Sequence, residues 1–496
     1  MPPNATISDV MIWRGGALGI ALVLLGPACG SSGAAVPQGA DAGGVDSGPV
    51  FAPAAGFVEV PPRGVTVHGK PVSVATTARI FYSFRPADVD AADRPILFLF
   101  NGYAAEIVRA FGTGPTGVDA TGAVVPNPTP LTAFANLVYL DPRQSGYSYD
   151  LPPPGAPPAP SAEDCSPDIF NEYVDAGDVL LAALSFLGTH PELRGPVYWL
   201  GESYGGVRLT WILAYLHGRW DLAPYTDDAV SVAVAAARHP TSLAAGQILL
   251  EAWVGGGPEA DAIAALCETP TVAAAVAASA GQSCGDVGAC ACATMLGLSP
   301  YNYTYTTVFQ TQRATEAIEA HVDPGAAATL LGVPLESIPE LAPAERARGW
   351  KCLGPDDTIP SEGALEAALG TLPSGQAYYL DYSPLMPGRE TQTVTLDWRT
   401  TSAEALAFVD NLHDVPALLT RGARDLVVPT AALPPALEAA IGASRVDTSL
   451  PDVIGVAYAD GTRAIAVRDY AAAGHMITMV QPADFAADLA RWLGGE

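Results

Sequence analysis

Basic residues are scarce in this chain. Lys and Arg together number 24 against 52 Asp and Glu, a formal net charge of −28 over 496 residues. A surface of that sign repels nucleic acid phosphates and anionic lipid headgroups, so no nucleic acid partner is expected. The apolar run at 17–28 (ALGIALVLLGPA) is too short to be a membrane span, which needs about 20 such residues. No internal repeat is evident, which sets solenoids and propellers aside. Zinc-type spacing is missing too. Cys284, Cys290 and Cys292 make zinc the rival reading there, but they fit no common zinc pattern and no His stands close, so no metal is expected. What the chain does have is apolar residues, 49% of the total, ample for a large core.

The apolar run follows Arg14 and has the length of a signal peptide, which places a signal at residues 1–28. Cys29 comes next, and Leu-Leu-Gly-Pro-Ala-Cys resembles a bacterial lipoprotein signal, in which the Cys becomes the lipidated first residue. Leu25 sits one place early for that pattern and Pro27 is unusual beside a cleavage site. Cleavage without lipid, or a buried N-terminal helix, is the alternative. Residues 29–55 read as a flexible tether, because 30–50 hold almost no large apolar residue. With Cys29 set aside, Cys165, Cys267, Cys284, Cys290, Cys292 and Cys352 suffice for three disulfides in an oxidising compartment. Their pairing is not legible. Export is expected, with membrane contact only through a lipid on Cys29, or else a periplasmic or extracellular location.

Length alone allows about three domains, but one large sheet with an inserted cap fills the same length. Residues 94–100 (RPILFLF), 135–141 (ANLVYLD) and 197–202 (VYWLGE) are short apolar runs, predicted as buried strands. Ser166-Pro167 signals a helix start, and Ile169, Tyr173, Leu180, Leu184 and Leu187 follow at near-helical spacing. Residues 207–216 predict a second helix. This alternation implies a mainly parallel central sheet with helices on both faces. Between 218 and 405 the chain is rich in Ala and Pro, shows few clear strands and holds five of the six remaining cysteines. It reads as an inserted, mostly helical cap. The core is then 56–217 and 406–496. Sheet character returns at 415–421 and 463–469, and 482–493 places Phe485, Leu489, Trp492 and Leu493 on one helical face.

Gly201-Glu202-Ser203-Tyr204-Gly205 has the form G-x-S-x-G directly after a predicted strand and before a predicted helix. In that setting the glycines allow a sharp turn that presents the Ser203 hydroxyl, and the helix start offers amide donors. A nucleophilic serine needs a base and an orienting acid, in the order Ser, Asp, His. Of the seven histidines, only His475 follows a late strand. Asp425 follows the run VPALLTR, whereas Asp410 and Asp414 precede it. A carboxylate is required to hold the imidazole tautomer and stabilise the imidazolium.

These landmarks resemble the serine carboxypeptidase family, the carboxypeptidase Y-like branch of α/β-hydrolases. The resemblance is carried by 97–102 (LFLFNG) with 114–115 (GP), by 136–149 (NLVYLDPRQSGYSY), by 201–206 (GESYGG), and by 422–425 with 470–476 (YAAAGHM). It covers roughly 90–217 and 405–496 but not the cap. It implies an α/β-hydrolase fold and roles for further residues. Asn101 and Glu202 match positions that bind the free carboxylate of a peptide's last residue. The N–H of Tyr204, with one from the turn at Tyr103, matches the oxyanion hole. Two departures stand out. The family's Gly-Gly-Pro-Gly-Cys is here Gly102-Tyr103-Ala104-Ala105-Glu106, and a Tyr resists the φ > 0 geometry that Gly allows. The family's second acidic binder falls near Gly112 or Thr113 and is missing. Glu106 or Arg109 is the available replacement, with a solvated role as the alternative.

The expected activity is serine carboxypeptidase-like hydrolysis through an acyl-enzyme on Ser203, with a peptide or small acyl substrate and no cofactor. An esterase, acyltransferase or aminopeptidase of the same fold is the first alternative. An inactive surface binding protein on a hydrolase scaffold is the second.

Overall fold

The computed structural model describes residues 51–67, 70–101, 108–119, 123–157, 172–217, 234, 238, 240–252, 324–350, 411–412, 414–422, 444–447, 453–457, 463–471, 473 and 476–494. Among these an 11-stranded sheet dominates. Its main strands in chain order are β1 (Ala54–Val60), β2 (Thr77–Arg85), β3 (Ile96–Phe100), β4 (Asn136–Leu140), β5 (Val197–Glu202), β6 (Gly246–Leu250), β7 (Ala417–Gly422), β8 (Ser444–Asp447), β9 (Val453–Ala457) and β10 (Arg463–Tyr470). In space they run β1-β2-β4-β3-β5-β6-β7-β10-β9-β8. The middle, from β4 to β10, is parallel throughout. Both flanks are antiparallel.

Burial explains why the central strands are continuous apolar runs rather than alternating ones. In β3 (ILFLF) every residue is fully buried, because successive side chains enter two different cores. Phe98 and Phe100 join Trp199, Leu249 and Leu419 on one face, under the helices α1 (Glu172–Thr189) and α2 (Gly205–Leu216). Phe98 stacks on Trp199 with ring centroids 4.9 Å apart, and the indole N–H of Trp199 donates to Leu243 O at 2.7 Å. Leu97 and Leu99 join Leu200, Ile248 and Leu418 on the other face, which also buries Phe485 and Leu489. Each such large side chain stabilises the fold by about 1.5–3 kcal/mol.

Helix α1 buries Tyr173, Leu180, Leu184 and Leu187 as their spacing predicts; Ser166, Pro167 and Ile169 lie outside the described residues. The helices α3 (Pro324–Leu331), α4 (Ile477–Val480) and α5 (Pro482–Leu493) complete the elements used below. On α5, Phe485 and Leu489 are buried and Trp492 and Leu493 pack at the edge of the same core.

One boundary needs correcting. Residues 218–405 are not wholly an insertion, since β6 pairs in parallel between β5 and β7 at the centre of the sheet. Its sequence, GQILL, offers five residues with a buried Gln at the second position. So short a run does not distinguish strand from helix. Residues 324–350 are also tied to the core. Leu330, Leu331, Leu335 and Ile338 pack around Phe81 and Tyr147, and Trp350 exchanges backbone hydrogen bonds with Asp150 at 2.6 and 3.1 Å.

Candidate active site

The turn after β5 holds a serine in a conformation that side chains resist. Ser203 has φ +56°, in the left-handed region. A non-glycine residue there is uncommon and costs about 1–2 kcal/mol. The flanking glycines make it feasible. A Cβ on Gly201 would run into the carbonyl oxygen of Gly205, and one on Gly205 would sit 2.9 Å from Phe100 O. The turn is then pinned from both sides. Ser203 N donates to Leu250 O on β6 at 3.1 Å, and Gly206 N donates to Ser203 O at 2.9 Å. Helix α2 begins at once, with Tyr204 as its N-cap residue, so the positive end of its dipole lies beside the serine. Ser203 remains partly exposed while Glu202 and Gly205 are buried.

Asn101 and Glu202 meet at adjacent strand ends. Asn101 Nδ2 donates to Glu202 Oε2 at 2.6 Å, and the two residues are 5% and 0% exposed. Arg208, one turn into α2, locks this corner from behind. Its Nη1 donates to Asn101 O, its Nε donates to Asp175 Oδ2 at 2.8 Å, and its guanidinium lies over the rings of Phe100 and Tyr204 at 5.6 and 5.5 Å. Burial raises the Asp175 carboxyl above its ordinary range, against the opposing pull of Arg208. Sequence reading missed Arg208 and Asp175. The signal was an Arg inside an otherwise apolar helix, RLTWILAYL.

Arg109 has a different role from either one expected. It is 2% exposed, donates from Nη1 to Ser83 Oγ at 3.1 Å, stands 3.6 Å from Asp141 and lies over the Tyr139 ring. It is an interior cation rather than a solvated one, held by Ser83, Asp141 and the Tyr139 ring. Thr113 is also interior, sharing a 2.9 Å hydrogen bond with the Tyr139 hydroxyl. Burial pushes that phenol up to about 12.

A second buried network shapes the turn after β4. Arg143 pairs with Asp178 at 2.5 Å and Asp150 at 2.8 Å, and Arg63 also reaches Asp178. Gln144 Nε2 and Thr76 Oγ1 donate to Asp150 at 2.8 and 2.9 Å. Gln144 and Gly146 take positive φ within this turn.

Strands β7 and β10 run parallel to β5, so all three end at the same edge of the sheet. Open parallel sheets bind ligands at that edge. Strand β7 ends at Gly422, three residues before Asp425; β10 ends at Tyr470, five before His475. Asp425, His475, Tyr103, Glu106 and the seven cysteines, Cys29 included, lie outside the described residues. On the far side of His475, Met476 and Ile477 are buried, and Ile477 N donates to Glu251 Oε2 at 3.4 Å. Glu251 sits directly after β6, fully buried, with φ +45°.

A strained serine after the fifth strand, a sheet ordered 1-2-4-3-5-6-7 and helices on both faces define an α/β-hydrolase. Residues 54–219, which carry the serine turn, match the sequence model of the serine carboxypeptidase family. Among solved structures the chain is similar to the Kex1Δp prohormone-processing carboxypeptidase of Saccharomyces cerevisiae, at 12% identity and TM-score 0.47, covering 89% of this chain and 91% of that one. It is also similar to the esterase RhEst1 from a Rhodococcus species, at 16% identity and TM-score 0.36, covering 88% and 98%. A thermophilic esterase from Thermogutta terrifontis gives 13% identity and TM-score 0.35, covering 88% and 98%. No curated protein matches the chain.

Proposed function

We propose that this serine carboxypeptidase-like hydrolase removes C-terminal residues from peptides through an acyl-enzyme on Ser203. The observation that carries the reading is the buried Asn101–Glu202 hydrogen bond of 2.6 Å, one residue from the strained serine. Ser203 attacks the scissile carbonyl and its proton passes to His475, which Asp425 orients. The Tyr204 N–H, with one from the turn at Tyr103, stabilises the oxyanion. Asn101 and Glu202 take the terminal carboxylate of the substrate. Two carboxylates repel, so Glu202 serves this role in its protonated form, donating a hydrogen bond.

The test is kcat/KM against pH for a blocked dipeptide and for its carboxamide, which lacks the charge. Dipeptide cleavage is expected to fall as pH rises through the Glu202 titration, while ester hydrolysis, limited by His475, persists to higher pH. Glu202→Gln keeps a donor and flattens the difference. Equal values for dipeptide and carboxamide across the acid range mean that no carboxylate is read. Ser203→Ala retaining full activity sinks the acyl-enzyme itself. An esterase or acyltransferase reading is favoured by one observation: the place of the family's second acidic binder holds Gly112 and the interior Thr113, with no carboxylate.

We also propose export, with Cys29 as a lipid-bearing residue, on the strength of the apolar run and tether. Cys29→Ser is expected to release the protein from membranes, and an unmodified Cys29 in a membrane fraction by mass spectrometry contradicts it.

A further inference from the structure

We propose that Arg208 is a positioning residue that aims Asn101, and so decides how well a substrate's terminal carboxylate is read. It acts through Asn101 rather than on the substrate. The inference rests on the reading of Asn101 and Glu202 as the carboxylate site.

An arginine at this place carries two costs. It lies one turn into α2, near the positive end of the helix dipole, which disfavours a cation. It is also 2% exposed, in a helix buried along its whole length, so its charge is taken out of water. A methionine of similar volume would escape both. The contacts show what the guanidinium does instead.

Strands β3 and β5 pair with Phe100 opposite Gly201, so the next residues, Asn101 and Glu202, stand at one level. Asn101 Nδ2 donates to Glu202 Oε2 at 2.6 Å. Behind them, Arg208 donates from Nη1 to Asn101 O and from Nε to Asp175 Oδ2 at 2.8 Å. Its guanidinium carbon lies 5.6 Å from the centre of the Phe100 ring and 5.5 Å from that of Tyr204. The Arg208 backbone N–H donates to Tyr204 O at 3.3 Å. One residue thus joins the end of β3, the start of α2 and helix α1. The planar fork of a guanidinium fixes direction as well as distance. With its carbonyl held by that fork and its amide by Glu202, Asn101 is fixed at both ends.

The need for such support follows from the rest of the corner. The place of the family's second acidic binder has no room for an acid. Gly112 has φ +88°, and a Cβ on it would collide with the carbonyl oxygen of Thr478. Thr113 Oγ1 shares its 2.9 Å hydrogen bond with the Tyr139 hydroxyl. Carboxylate reading then falls on Asn101 and Glu202. A small set of groups depends the more on being preorganised, and a misplacement of about 1 Å can cost about 100-fold.

The test compares Arg208→Met, Arg208→Lys and Asp175→Asn with the parent in the full chain, active sites being counted by fluorophosphonate titration. The readout is kcat/KM for a blocked dipeptide divided by that for its carboxamide. A merely structural residue changes the number of active sites and leaves this ratio alone. Arg208→Met is expected to lower the ratio about tenfold, through the KM of the dipeptide. Arg208→Lys, whose ammonium lacks the fork, is expected to fall between Met and the parent. Asp175→Asn keeps the guanidinium but neutralises its anchor; it is expected to lower the ratio less, and it serves if Arg208→Met folds poorly. A second arm adds Asn101→Ala. If Arg208 acts through Asn101, Arg208→Met lowers the ratio no further once Asn101 is gone. A ratio within twofold of the parent in the folded variants, or full additivity with Asn101→Ala, overturns the proposal and leaves the carboxylate reading standing. A parent that treats dipeptide and carboxamide alike overturns that reading and this proposal with it.

Discussion

Gly201 and Gly205 face each other across the serine turn so closely that a Cβ on Gly201 would collide with the carbonyl oxygen of Gly205. The pair sets the sharpness of the turn and hence the presentation of Ser203. Gly201→Ala is therefore expected to abolish labelling of Ser203 by a fluorophosphonate and to lower the melting temperature. Gly205→Ala meets Phe100 O at 2.9 Å and is expected to act in the same direction, less severely. Normal labelling of Gly201→Ala contradicts the geometry.

Arg208 joins the Asn101 carbonyl to Asp175, so its loss is expected to be felt in both stability and substrate binding. Arg208→Met leaves the Asp175 carboxylate without its cation, at about 3 kcal/mol. Lys is a poor substitute, having one ammonium where Arg presents a fork to two acceptors. The pH dependence has a definite sign. Burial already raises Asp175 in the native protein, so the native state holds its proton to a higher pH than the unfolded chain does. Stability from that proton is present below the unfolded value and is lost as pH rises through the folded one. Removing Arg208 raises the folded value further. The deficit of Arg208→Met in urea melts is thus expected to be largest at neutral pH and to shrink in acid. A deficit that grows in acid contradicts this.

Asp178 accepts from both Arg63 and Arg143 with 0% exposure. Asp178→Asn removes the negative charge that two buried guanidiniums share, although Arg143 keeps Asp150, and a loss of about 3 kcal/mol in unfolding free energy is expected. The network holds the turn after β4 and not the serine. The fraction that stays folded is accordingly expected to label with a fluorophosphonate at the parental rate, and slowed labelling counts against a purely structural role.

Tyr139 is pushed up to about 12 by burial, whereas in an unfolded chain a phenol ionises near 10. Between those values the native state binds more protons than the unfolded state. Stability present below pH about 10 is therefore lost as pH rises toward 12. Tyr139→Phe is expected to weaken this alkaline decline, read by fluorescence-detected urea melts at pH 9, 10 and 11. A decline of equal slope in the variant assigns it to other groups.

The outline of the central sheet was legible because its strands are fully buried runs bounded by turns. VYWLGE corresponds to β5 end for end, and RPILFLF and ANLVYLD each contain their strand. The serine turn was legible for a partly local reason: Gly201 is demanded by a clash with Gly205 four residues on, while Gly205 answers to Phe100 on β3. Strand β6 was not. GQILL becomes a strand because β5 and β7 pair with it on both sides, and those partners lie at positions 197–202 and 417–422. Residues 324–350 hid in the same way, their burial supplied by Phe81 and Tyr147 far back in the chain.

Sequence by itself determined the serine turn and the periodic faces of α1 and α5. These depend chiefly on neighbours within a few residues, where side-chain periodicity and backbone sterics act. Tertiary structure alone decided that Arg109 is an interior cation, that Arg208 grips the carbonyl of Asn101, and that Glu251 leaves its strand beside Ser203 and reaches Ile477. For an ionisable side chain the sequence states only what charge is available. Whether it is solvated, paired or aimed at a site depends on the groups that the fold brings beside it from 26 to 226 residues away, as Ser83, Asn101 and Ile477 show.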